Sequence, residues 1–349
     1  MKAAVQVADR KVQFLDVDEP SPGRGQVLVR SLGTSICGSD QHVFKGEFAG
    51  RVRYPHIGGH EFFGRVEKVG EGVESLTPGD RVAVDPLIWC NRCRACLEGC
   101  YSACSTLKLL GIDLAGGFAE FVCADQEKCF RLPDSIPDEH GSLVELYSVA
   151  VHVTRRARVD PGDCVVILGS GKVGMAILDV MKETAALTVA IVDIIDARLE
   201  RARRIHDQVE LINARDVDPV QRVMELTDGR GAERVIEVVG HYDPVPGRDE
   251  PMVQAVKMLR SAGRLVAVGQ ADEPAQLMSK LFVWKEAELI ASRVNRGEFP
   301  RAIDLMQRGR VSPDLLITDR IPISQAQQAY EMLECQRDRH VKIVMEPGR

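Results

Sequence analysis

Gly169-Ser170-Gly171-Lys172-Val173-Gly174 follows the apolar run Cys164-Val165-Val166-Ile167-Leu168 directly and opens a helical pattern from Val173 to Met181. A G-x-G-x-x-G string is weak by itself, but here a strand pattern precedes it and a helix pattern follows, which is the context it needs. The first glycine makes the tight turn, the second lets the backbone approach a pyrophosphate, and the third lets helix pack closely on strand. The amides of the helix N-terminus, at Lys172 and Val173, are then offered to phosphates. Nineteen residues past Gly174, at the end of the next apolar run, stands Asp193. A carboxylate there can accept hydrogen bonds from both ribose hydroxyls of NAD, and it would repel a 2′-phosphate by about 1–4 kcal/mol. This predicts NAD over NADP, although Arg198 nearby could receive a phosphate. Val239 and Val268, at the ends of later apolar runs, are further candidate cofactor contacts.

Outward from this loop, β-rich runs alternate with helical patterns. The runs are 188–192, a weaker 209–212, 234–239, 265–268 and 288–291. Six strands in such alternation predict a doubly wound parallel sheet, a Rossmann domain over residues 149–291. Before it, short alternating runs broken by Gly and Pro, at 27–30, 63–69, 80–84 and 117–122, predict a compact β-rich domain. The last sixty residues read as helix, strand and amphipathic helix, and they are expected to return to that first domain. The division is therefore 1–148 with 292–349, and 149–291, in an α/β chain. The stretch 243–248, with two prolines and a glycine, reads as a loop.

With 349 residues the chain can bury two cores, and 45% hydrophobic with 28% charged residues is ordinary for a globular protein. The net charge is −6 and the pI about 5.8, without a long basic run, so nucleic acid is not expected as a partner. No window approaches eighteen uninterrupted apolar residues, and Met1-Lys2-Ala3-Ala4-Val5 runs straight into alternating sequence. A cytoplasmic protein with no membrane partner is expected.

Five of the ten cysteines fall between Cys90 and Cys104. In a reducing compartment such clusters bind metal or do chemistry more often than they pair. Cys90, Cys93, Cys96 and Cys104 are spaced C-x2-C-x2-C-x7-C, which lets one loop wrap four thiolates around a tetrahedral Zn²⁺. A site with four protein ligands is closed and holds structure only. Cys100 interrupts the last spacing as a possible competitor. A nucleic-acid zinc ribbon would favour two separated CxxC knuckles and a basic face, and neither is present.

In the first domain, Cys37-Gly38-Ser39-Asp40-Gln41-His42 precedes Gly58-Gly59-His60-Glu61. A catalytic zinc takes three N, S or O ligands and keeps an open position. Cys37 and His60 could supply two, and Glu145, in Val144-Glu145-Leu146-Tyr147-Ser148-Val149, a third. His56 and His152 read as structural.

These segments, taken with the four-cysteine lobe, the nucleotide loop and Asp193, resemble the zinc-containing medium-chain alcohol dehydrogenases. The resemblance covers essentially the whole chain, with the motifs in the family's order. It implies a GroES-like fold for the β-rich domain. It also implies a catalytic zinc on Cys37, His60 and Glu145, with Glu61 an alternating ligand or one that acts through another group, and Asp40 orienting the site. Ser39 and His42 resemble the family's proton relay. A carboxylate at Glu145, where simple alcohol dehydrogenases carry a cysteine, is similar to the polyol and threonine branch. Leu146 departs from the usual proline after that residue. The segments 42–46 and 291–296, the latter containing Arg293, look like those of sugar-acid dehydrogenases, whereas 110–113 with 116–120 is shared with threonine dehydrogenases.

The resemblance thus implies two zincs per chain, one catalytic and one structural, and oxidation of a secondary alcohol (a polyol or sugar acid) to a ketone with hydride transfer to NAD. Substrate and cofactor would meet in a cleft between the domains. L-threonine or a simple alcohol is the alternative substrate, and an NAD-sensing protein with a degenerate dehydrogenase fold is the non-enzymatic alternative. A small-molecule alcohol and other copies of the chain, as dimer or tetramer, are the expected partners.

Overall fold

The computed structural model describes residues 1–48, 50–239, 244–270 and 274–347. They fall into two compact units, the first comprising Met1–Ser148, Asn295–Gly309 and Ile317–Arg349, the second Val149–Val294 and Arg310–Leu316.

In the second unit six strands form one fully parallel sheet. Its order is Glu210–Asn213, Thr188–Asp193, Cys164–Leu168, Ala232–Glu237, Leu259–Ala267, Glu288–Ala291. The central strand is buried at every position, as a parallel strand covered on both faces must be. Val166, Leu168, Ala190, Val192, Val235 and Leu265 pack into one core with residues of the flanking helices. The order reverses at Cys164–Leu168, so the loops at the carboxyl ends of this strand and its neighbours open at a topological switch point. The nucleotide loop is one of them.

In the first unit a seven-stranded sheet runs Cys129–Arg131, Arg81–Val84, Glu61–Val69, Gln26–Ser35, Ile343–Glu346, Asp319–Pro322, and Phe121–Asp125 also pairs with Gln26–Ser35. The strand Ile343–Glu346 carries the end of the chain back to the middle of this sheet, with Val344 opposite Ser35. Lys11–Asp16, Lys2–Ala8 and His56–Ile57 make a second, three-stranded sheet.

Two details differ from the sequence reading. The strand expected at 117–122 is Phe121–Asp125. The amides of Gly117 and Phe118 instead donate to the carbonyls of Gly59 and Gly58 at 2.7 and 3.0 Å, so the first part of that alternating run lines a loop. Residues 292–294 and Arg310–Leu316 group with the second unit, not the first. Ser312 donates its amide to Asp179 Oδ2 at 2.6 Å, Arg310 pairs with Glu183 at 2.8 Å, and Arg201 donates to the carbonyl of Leu315 at 3.0 Å. These three bonds hold the short helix Pro313–Leu316 against the Rossmann helices. Of 243–248, residue 243 lies outside the described residues, and the rest form neither helix nor strand.

Candidate active site and cofactor loop

Each glycine of the nucleotide loop answers to its surroundings. Gly169 has φ +104°, where an L side chain is strained, and its amide donates to the carbonyl of Val192 at 2.8 Å. A Cβ at Gly174 would lie 1.8 Å from the carbonyl oxygen of Gly169, so only glycine lets the helix Lys172–Met181 sit this close to the turn. At Gly171 a Cβ would meet no heavy atom within 4 Å. That space lies at the N-terminus of a ten-residue helix, the arrangement that receives a dinucleotide pyrophosphate.

Asp193 ends its strand beside this turn. Its Oδ2 accepts the amide of Ser170 at 2.7 Å, and its Oδ1 accepts those of Ile194 and Ile195 at 2.8 and 3.1 Å. The carboxylate is thus fixed in position next to the loop. Arg198 stands 3.9 Å from the same Oδ2, so the guanidinium is directed at Asp193. Val239 approaches the loop closely, since a Cβ on Gly169 would meet its Cγ2 at 3.1 Å. Val268 follows the strand Leu259–Ala267 and donates to the carbonyl of Glu237 at 2.8 Å.

Sequence reasoning missed Glu237. Its Oε1 accepts the amide of Val239 at 2.6 Å, and it also receives a bond from the Gly269 amide. Burial pushes its carboxyl up to about 7, against the pull of these two bonds. It joins the carboxyl ends of two sheet strands beside the cofactor loop.

In the first unit the site grows from three adjacent chain segments. The strand Gln26–Ser35 leads through Ile36 to Cys37, which caps the short helix Gly38–Phe44. Glu61 opens the next strand directly opposite Ser35. His60 precedes it on a turn where Gly59 has φ +88°, and a Cβ there would lie 2.4 Å from the ring of Phe118. The Gly58-Gly59 pair therefore lets the Phe118 ring press on the loop that carries His60. One ligand atom each from Cys37, His60 and Glu61 lie within 4.8 Å of one another. A thiol, an imidazole and a carboxylate at such spacing suit a zinc ion.

Asp40, 1% exposed, organises this cluster. Its Oδ2 accepts the Cys37 amide at 2.8 Å, and its Oδ1 lies 3.4 Å from the Gly59 amide and 3.3 Å from His60 Nδ1. Burial alone would lower the basicity of His60, but Asp40 and Cys37 more than offset it and hold its pKa well above the ordinary value. The opposite ring nitrogen, Nε2, lies 3.3 Å from Ser39 Oγ. His42 sits one turn further along the same helix, with Nδ1 paired to Glu47 and its ring stacked 6.1 Å from Phe48. Glu47 had no signal in the sequence beyond its nearness to His42.

Glu145 lies in the first turn of the helix Val144–Ala157 and is buried. Burial pushes its carboxyl well above the usual carboxylate range; His60 and Lys342 act against this, and Glu61 and Cys37 add to it. It is therefore within electrostatic reach of the cluster without belonging to the tight trio. Glu61 has a second partner set: Ser35 Oγ donates to its Oε2 at 2.5 Å, and Lys342 Nζ pairs with the same oxygen. Lys342 was missed as well. The signal was a lysine inside the otherwise apolar run Val341–Met345, all of it buried. His56 is occupied by the carbonyl of Gly111, 2.9 Å from Nε2.

Cys90, Cys93, Cys96 and Cys104 form a second cluster with sulfurs within 4.8 Å of one another. The amide of Cys93 donates to Cys90 Sγ at 3.3 Å and that of Cys90 to Cys104 Sγ at 3.4 Å. Amides of Arg92 and Cys93 bring the Cys90 thiol down to about 6, and those of Ser105 and Cys96 lower Cys93; burial raises Cys96 to about 12. Amides aimed at sulfur favour thiolate, the form that binds metal. Cys100 lies outside the four and donates to the carbonyl of Glu98 at 3.9 Å.

A doubly wound sheet with a glycine loop closed by an aspartate, together with a thiol–imidazole–carboxylate cluster and a four-thiol lobe, defines a zinc-type dehydrogenase. Residues 23–134 match the alcohol dehydrogenase GroES-like domain and 173–308 the zinc-binding dehydrogenase domain. The chain is 32% identical to the 2-dehydro-3-deoxy-L-galactonate 5-dehydrogenase of Pseudoalteromonas atlantica, over 96% of this chain and 95% of that one. To the sorbitol dehydrogenase of Bacillus subtilis it is 29% identical, over 100% and 98%. Its fold superimposes with a TM-score of 0.90 on the rspB alcohol dehydrogenase of Escherichia coli CFT073, solved with NADH, at 29% identity and 99% coverage of both. The chain belongs to the zinc-containing medium-chain alcohol dehydrogenase family. It is a dehydrogenase, with zinc and a nicotinamide dinucleotide as cofactors. Among the described residues no helix is long and apolar enough to cross a membrane.

Proposed function

We propose that the chain oxidises a secondary hydroxyl of a polyol or sugar acid to the ketone, with NAD as hydride acceptor, at a zinc held by Cys37, His60 and Glu145. The observation that carries this is the trio of a half-buried Cys37 with the buried His60 and Glu61, backed by Asp40 and overlooked by the buried Glu145. Bound zinc supplies a Lewis acid that lowers the pKa of a coordinated hydroxyl. The residues do the rest. Asp40 fixes the ring of His60 and the backbone of Cys37, so the ligand set is oriented before substrate arrives. Ser39 Oγ, 3.3 Å from Nε2 of His60, would receive the hydroxyl proton. His42, half-buried and paired with Glu47, would pass it to water. The Gly169–Gly174 loop and Asp193 hold the dinucleotide, and the carboxylate selects against a 2′-phosphate.

The carboxylate at Glu145 and the relatives that act on sorbitol and a sugar acid support the polyol and sugar-acid class. Self-association is part of the proposal. Glu288–Ala291 is an edge strand of the parallel sheet, and Leu289, Trp284 and Val283 beside it are 49%, 71% and 76% exposed. An exposed apolar edge of this kind suits pairing with a second copy. The test of substrate class is NAD reduction across polyols, aldonates, L-threonine and simple alcohols. Turnover should be fastest with a polyol or aldonate, and a preference for L-threonine or ethanol by tenfold or more would reassign the substrate.

A further inference from the structure

Lys342 and Glu61 form an ion pair in which both side chains are 0% exposed. The lysine is built into this place. It precedes the strand Ile343–Glu346, its carbonyl accepts the amide of Thr318 at 2.9 Å, and its Nζ lies 3.4 Å from the carbonyl of Ile36, the residue before Cys37. Glu61 in turn places an oxygen within 4.8 Å of the ligand atoms of Cys37 and His60. A carboxylate buried this completely requires a cation, because an isolated buried charge is far costlier than a paired one. Two cations can serve, the ammonium of Lys342 or a metal ion on Cys37 and His60.

We propose that Lys342 is a positioning residue that holds Glu61 back from the catalytic metal and so keeps that metal's fourth position for substrate. This rests on the reading of Cys37, His60 and Glu145 as the metal ligands. Lys342 and Ser35 both act on the Oε2 of Glu61; Ser35 lies in one strand of the sheet and Lys342 directly precedes the strand paired with it, so the carboxylate is drawn toward the sheet. If the ammonium is removed, the metal is the remaining counter-ion. Glu61 then becomes a fourth protein ligand, closing the site in the manner of a structural zinc.

The test uses the full-length enzyme with Co²⁺ in place of zinc, read by its visible absorption and by metal release to a chelator. Lys342→Met should release the catalytic-site metal about tenfold more slowly and shift the cobalt bands, within the range of effects that partners of metal ligands exert. Lys342→Arg should restore wild-type release and spectrum, as should the double variant Glu61→Gln/Lys342→Met, which has no charge left to redirect. Glu61→Gln alone keeps an acceptor for Lys342 and should release metal within twofold of wild type, a readout that stands even if Lys342→Met does not fold. Release at the wild-type rate with an unchanged spectrum in Lys342→Met overturns the proposal, as does release more than tenfold faster in Glu61→Gln, since Glu61 would then be a resting ligand. One metal per chain in the wild type, confined to the cysteine lobe, overturns instead the site reading on which the proposal stands.

Discussion

Asp40 Oδ1 lies 3.3 Å from His60 Nδ1, and both side chains are almost wholly buried, at 1% and 4% exposure. Asp40 also holds the Cys37 amide through its other oxygen, so one carboxylate sets the aim of two candidate ligands. Asp40→Ala should weaken metal retention at this centre by about 10–100-fold, seen as faster zinc loss to a chelator, with the cysteine-lobe zinc unaffected. Equal loss from both centres would mean that Asp40 supports the unit as a whole.

The four-thiol lobe should behave as a fold element. Cys96→Ala is expected to remove one zinc and make the loop 90–104 a site of rapid proteolysis, with NAD affinity within about twofold of wild type, because a structural zinc contributes folding free energy locally. Cys100→Ala should leave zinc content unchanged, since its sulfur lies outside the cluster.

Asp193 is held by three backbone amides. Asp193→Ala removes the charge that opposes a 2′-phosphate and leaves Arg198 beside it. The ratio of kcat/KM for NAD over NADP should fall by about tenfold or more, the equivalent of at least 1.4 kcal/mol. An unchanged ratio would place cofactor selection elsewhere.

Glu237 makes stability depend on pH. Its folded pKa, about 7, is raised above its ordinary value of 4.5 by burial. The native state therefore binds more protons than the unfolded state between these values, and stability must fall as pH rises from about 4.5 to about 7. The contribution is on the order of 3 kcal/mol at ~1.4 kcal/mol per pKa unit. Glu237→Gln should flatten this segment in denaturant titrations at successive pH values; an unaltered slope would show that the carboxyl is ionised throughout.

Replacing Leu289 and Trp284 by Glu puts charges on the exposed edge of the parallel sheet. Equilibrium sedimentation should then give the 38.5 kDa chain mass, where the wild type gives a multiple of it. A monomeric wild type would remove self-association from the account.

The parts legible in the sequence are those in which local spacing is itself the chemistry. Gly169, Gly171 and Gly174 reported their turn because a Cβ at two of the three would collide or strain, and the four cysteines reported their lobe because one short loop supplies every sulfur. Gly58 and Gly59 were visible as a pair, but their cause, the ring of Phe118 nearly sixty residues on, was not. Lys342 and Glu237 escaped for a related reason. Each has its role set by burial and by partners distant in sequence, and a lysine in an apolar run or a glutamate at a strand end does not disclose what it faces. The division near residue 310 was missed because bonds from Asp179 and Arg201 to 312–315 draw a short segment into the second unit.

The most direct test of the central claim is the zinc content of the wild type and of Cys37→Ala, with NAD binding measured on both. The account predicts about two zincs per chain in the wild type and one in the variant, with NAD affinity preserved and NAD reduction reduced to background. A Cys37→Ala chain that keeps both zincs, or that turns over at the wild-type rate, would contradict it.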